Sequence, residues 1–167
     1  MADSPEVIEA REKKDDREYE QEKLEQAKAL KYIEACDGAY KYLNYGRGLY
    51  EFEQGKHIEA TDGNISKLTS YMLELAQKEA FYKSEGDISK VLENVINMFN
   101  GNIHGVTAKW STKEDEVVNL NITQIVNILK GLAQIQANVW CEKFEAYKIM
   151  IECAQTLEEV ERIEITY

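Results

Sequence analysis

The sequence predicts a mainly α protein with a small β-hairpin component, in which a helical domain follows a projecting, charged N-terminal helix. Three observations predict it. Apolar residues recur at three- and four-residue spacing along most of the chain. A single proline, Pro5, stands in 167 residues, which suits helices better than loops. Two short stretches alternate instead of following the helical period, each around a polar turn. A hydrophobic fraction of 44% in this length suffices for one domain with a real core, or a compact domain plus an arm. The expected division is an arm over 1–44 and a helical domain with a tryptophan hairpin over 45–167.

The first helix starts at Ser4-Pro5-Glu6: a hydroxyl cap, a proline where its missing N–H costs nothing, and a carboxylate on the positive end of the dipole. Residues 11–18 are an unbroken charged run. Glu9/Lys13 and Lys14/Glu18 fall at i, i+4 and favour the helix. With no apolar stripe beside them, the first 18 residues read as a solvated helical arm or a segment that a partner orders. Apolar spacing begins at Tyr19 and continues through Leu24, Ala27, Leu30, Ile33, Ala39, Tyr40 and Leu43, a face expected to pack. Gly38 weakens that helix locally, and Asn44-Tyr45-Gly46-Arg47-Gly48 ends it.

Residues 49–60 alternate around Gln54-Gly55 and predict a hairpin. Thr61-Asp62-Gly63-Asn64 then caps a helix carrying Ile65, Leu68, Met72, Leu75 and Ala76 to about residue 82. Ser84-Glu85-Gly86-Asp87 breaks it. The next helix is expected to bury Ile88, Val91, Leu92, Val95, Ile96 and Phe99, and to stop at Asn100-Gly101-Asn102. Strands over 103–110 and 116–120 are expected around the turn 111–115, resting on helices because a two-stranded hairpin is marginal alone. Helical spacing then holds for about 30 residues, from Ile122 to Ile151, including Trp140, Phe144 and Tyr147. Thr156-Leu157-Glu158-Glu159 has the form of a capping box, followed by Val160 and Ile163 as the packed face of a short terminal helix.

A net charge of −11 raises the prospect of nucleic-acid mimicry, but the excess is spread evenly. Acids outnumber bases 11 to 7 over 1–35, 10 to 7 over 36–101 and 10 to 6 over 102–167, always interleaved. Such a pattern gives solubility, disfavours nucleic acid, and builds no focused acidic stripe. No apolar run approaches the roughly 20 residues of a membrane span, and the charged first 35 residues hold no secretory core. The sequons at Asn64 and Asn121 would matter only in a secreted protein. Cys36, Cys141 and Cys153 lack metal-ligand spacing and are expected to be buried free thiols. There is no phosphate loop or nucleophile elbow, and His57 and His104 stand apart. The acids of 114–116 and 158–159 sit where turns and caps want them. No catalytic residue, metal or cofactor is expected, and an enzyme is the least favoured class.

Tyrosine is the one unusual enrichment. Tyr19, Tyr40, Tyr42, Tyr45 and Tyr50 form the candidate interface set, because tyrosine buries area at low entropic cost and keeps a polar tip. The competing reading places them at the protein's own helix-to-hairpin corner, and core is the better reading of Trp140, Phe144 and Tyr147.

From about residue 47 the order of signals resembles a domain of unknown function found in bacteriophage tail-fibre and tail-associated proteins. The residues that carry the resemblance are Phe52, Ile58-Glu59-Ala60-Thr61-Asp62, Ser66 and Leu68. They continue in the hairpin from Trp110 through Glu114, Val118 and Leu120, in Cys141, and in the final stretch with Thr156, Glu159, Val160 and Ile163. Three departures accompany it: the turn acids are usually followed by Asn, whereas this chain has Glu114-Asp115-Glu116; the segment between Asp62 and Trp110 is longer; and the charged arm before Tyr19 has no counterpart. The resemblance implies no catalytic residues. It implies a virion or prophage component located in the particle or the host cytoplasm, whose partners are other tail or virion chains or a second copy. The alternative class is a small phage-encoded inhibitor directed at the host.

Overall fold

The computed structural model describes residues 4–100 and 106–167. It is mainly helical with two antiparallel hairpins, as the sequence predicts. Helix α1 spans Pro5–Asn44; β1, Leu49–Glu53, and β2, Lys56–Glu59, form the first hairpin; α2 spans Asp62–Ser84 and α3 Ile88–Asn100. The second hairpin is β3, Ala108–Ser111, with β4, Val117–Leu120. Helix α4, Ile122–Ala137, is followed by a wide π-helical segment, Asn138–Phe144, then α5, Glu145–Cys153, and α6, Leu157–Glu161. Residues 103–105 of the expected third strand, His104, and the Gly101-Asn102 part of the expected helix stop lie outside the described residues.

The chain forms two compact units, one of Met1–Tyr40 with Val139–Tyr167 and one of Lys41–Asn138. This differs from the expected division into 1–44 and 45–167. The reason is that the C-terminal segment packs on α1. Lys28 Nζ donates to the Glu152 carbonyl at 3.2 Å, Lys31 Nζ to the Ile163 carbonyl at 3.1 Å, and the Tyr167 hydroxyl to the Ala35 carbonyl at 2.7 Å.

In the first unit, Leu24, Ala35 and Ala39 are the buried residues of α1, while Val139, Phe144, Ile151, Ala154, Val160 and Ile163 are buried in the C-terminal segment. Leu24 clusters with Ala154 and Val160. Leu30 and Ile33, expected on the packed face, are 68% and 53% exposed. Half-buried Lys28 and Lys31 occupy the inward row instead, their aliphatic stems covering apolar surface while the ammonium groups reach carbonyls. Gly38 has a packing reason: a Cβ there would lie 2.9 Å from the Tyr167 ring. Burial pushes the Tyr167 hydroxyl up to about 12, with Tyr147 and Cys36 adding to the shift.

The expected helix from Ile122 to Ile151 is helical throughout, but its middle widens into the π segment. Such a segment shifts the facing of the side chains that follow it. Here Trp140 and Phe144 meet edge to face at 5.3 Å, Phe144 meets Tyr32 at 5.4 Å, and Trp140 meets Tyr40 at 5.1 Å. Each such pair adds about 0.5–1.5 kcal/mol beyond area burial. The thiols are less buried than expected: Cys36 is half-buried, and Cys141 and Cys153 are exposed and free, off the buried row of Val139, Phe144 and Ile151.

In the second unit, Leu68, Leu75, Ala76 and Ala80 of α2 are buried, as are Ile122, Ile125, Ile128 and Leu132 of α4, with Ile58 and Leu120 from the hairpins. Fully burying each Ile or Leu stabilises by roughly 1.5–3 kcal/mol. Two caps fix the helix starts. Thr61 Oγ1 accepts from Asn64 N at 3.0 Å, and Asn121 and Gln124 cap each other reciprocally, both at 2.9 Å. Helix α4 and β1 also approach closely. A Cβ on Gly131 would fall 2.1 Å from the Tyr50 ring, so that ring lies on bare helix backbone. Overpacking of this kind costs about 1–3 kcal/mol, against a gain of up to about 1 kcal/mol in helix propensity. Gly131→Ala is therefore expected to lower stability in urea unfolding, by roughly 1–2 kcal/mol, and a more stable variant would contradict the close contact.

Candidate interaction surfaces

Exposure along α1 changes at one point. Every residue from 4 to 23 is exposed, and Leu24 is the first buried one. At a rise of 1.5 Å per residue this exposed stretch is about 30 Å long. Its start is capped as expected, with Ser4 Oγ accepting from Val7 N at 3.3 Å, and Glu9 pairs with Lys13 at 3.4 Å. Such exposed pairs contribute only about 0.3–0.5 kcal/mol each, so they support helicity without anchoring anything. Tyr19 is 58% exposed, with Lys23 Nζ 4.6 Å from its ring centre.

Tyr19, Leu24 and Leu157 line a groove of about 730 Å³ with Arg17, Lys23 and Thr156. Its C-terminal wall is held by the start of α6. Thr156 Oγ1 accepts from Glu159 N at 3.2 Å, as the expected capping box requires. The returning bond differs: Glu159 Oε2 accepts from Gln155 N at 2.7 Å, one residue before the cap. A smaller hollow, about 300 Å³, lies beside Leu30 and Val160. Tyr40 is also exposed, but one ring edge is engaged by Trp140.

The remaining candidate tyrosines belong to the second unit. Tyr42 is half-buried, Tyr45 is 80% exposed just past the end of α1, and Tyr50 is half-buried against Gly131. On α1, Tyr19 and Tyr40 are separated by 21 residues, about 30 Å, so those two share no single patch. The residues that carry the family resemblance have structural places. Thr61 caps α2, and Asp62 Oδ1 accepts from Gln136 Nε2 at 2.8 Å, tying α4 to the start of α2. Trp110 is buried under Tyr71 and pairs in register with Val118, while buried Leu120 pairs with Ala108. Ile163 is buried in the first unit.

Sequence reading separated His57 from Glu114, and the structure joins them. His57 N donates to Glu114 Oε2 at 2.8 Å, and His57 Nδ1 meets Glu114 Oε1 at 2.6 Å. Lys113 N donates to the His57 carbonyl at 2.9 Å, and Lys113 Nζ to the Gly46 carbonyl at 3.0 Å. The main-chain groups of His57 that β1 leaves unpaired are thus covered by the 112–116 turn, which closes the edge of β2. Lys56 adds ion pairs to Glu53 at 3.3 Å and Glu116 at 3.4 Å, hydrogen bonds that raise its own pKa. A histidine bonded to a carboxylate is half of a nucleophile-activating array. Here both carboxylate oxygens are taken by His57 itself, and the chemistry they perform is joining two hairpins.

Helix α3 departs furthest from expectation. Ile88, Leu92 and Ile96, expected in the core, are 79%, 65% and 61% exposed, while Val91 and Val95 are half-buried. The side chain of Phe99 lies outside the described residues. The apolar stripe is real in its spacing, but among the described residues of α3, which packs on α2, none is fully buried, and Val91, Asn94 and Val95 are half-buried. Phe81 and Tyr82, at the end of α2, are exposed as well.

Among the described residues no group of three or more His, Cys, Asp or Glu is placed to hold a metal ion, and no helix is long and apolar enough to cross a membrane. No protein-family model, curated protein or solved structure matches the chain.

The His57–Glu114 clamp has a pH signature. The His57 backbone N–H, working against desolvation and helped by the imidazole, holds the Glu114 carboxyl from its ordinary 4.5 down to about 2. A depressed folded-state pKa stabilises the folded form above the unfolded value, and that contribution is lost as pH falls through the folded value. The thermal midpoints of the native chain and Glu114→Gln should therefore differ most above pH 4.5 and converge as pH falls from 4.5 towards 2. A constant gap across that window would remove the clamp from the account.

Proposed function

We propose that this chain is a non-enzymatic structural or assembly protein of a bacteriophage or prophage particle, associated with the tail and acting through protein–protein contacts. The observation that carries the reading is the first half of α1, residues 4–23, every one of which is exposed. Helices of proteins draw most of their stability from packing, and this half of α1 is exposed throughout. Its natural use is attachment to neighbouring chains, where ordering entropy is offset by contacts repeated in many copies. The tail context rests on the resemblance carried by Thr61, Asp62, Trp110, Val118, Leu120, Thr156, Glu159 and Ile163. The interleaved charge and net −11 favour protein partners over nucleic acid.

The test is co-purification. The full chain, tagged at its C-terminus and produced during particle assembly, is expected to band with purified particles. A chain lacking residues 4–18 is expected to fold with the same thermal midpoint and to be lost from that band by tenfold or more. A full chain that stays in the host lysate would overturn the particle reading and leave the host-directed inhibitor. Equal banding of both chains would overturn the arm as the attachment element.

A further inference from the structure

We draw no further inference here: the strongest candidate, the exposed apolar row of Ile88, Leu92 and Ile96 on α3, is an unpartnered helix face, and nothing in the structure shows what covers it.

Discussion

A tyrosine ring lying on bare helix backbone holds each of the two units. In one, the Tyr50 ring of β1 lies on α4 at Gly131, where a Cβ would come within 2.1 Å. In the other, the Tyr167 ring lies against α1 at Gly38, and its hydroxyl continues to the Ala35 carbonyl at 2.7 Å. Both glycines sacrifice helix propensity so that a large flat side chain can approach the main chain. The consequence is positional. The Tyr50 contact holds the first hairpin on α4, and the His57–Glu114 clamp then attaches the second hairpin to the first. The Tyr167 contact holds the C-terminal segment on the middle of α1, beyond the exposed residues 4–23.

The aromatic run Tyr40, Trp140, Phe144 and Tyr32 depends on the same docking of the C-terminal segment. The π-helical stretch, Asn138–Phe144, brings two rings of one segment to two rings of α1. Tyr40 is engaged by Trp140 at one edge and is 53% exposed. Tyr19 and Tyr45 are 58% and 80% exposed, with Lys23 Nζ over the Tyr19 ring.

Apolar spacing marks which residues can be buried, and packing decides which are. Lys28 and Lys31 take inward places on α1 while Leu30 and Ile33 stay in solvent, because a lysine stem can cover apolar surface and still deliver its charge to a carbonyl. On α3, Ile88, Leu92 and Ile96 carry the expected spacing and stay exposed. Both departures place apolar surface outside.

Local chemistry by itself determined the element order: the start at Ser4-Pro5, the turn at Gln54-Gly55, the cap at Thr61, the break at 84–87, the hairpin around Trp110 and the cap at Thr156. The reciprocal Asn121–Gln124 cap was equally legible, since an Asn followed three residues later by a Gln before an apolar run is such a signature. These features depend on residues within a few positions of each other, so the sequence contains them in full. The His57–Glu114 pair joins positions 57 residues apart, and the Tyr167–Ala35 bond positions 132 apart. Only the tertiary structure decided these, along with the π-helical widening, the pairing of chain ends into one unit, and the face of α3 left bare. Contacts between distant positions are chosen by shape and by the entropy of closing long loops, and neither is written in the spacing of neighbours.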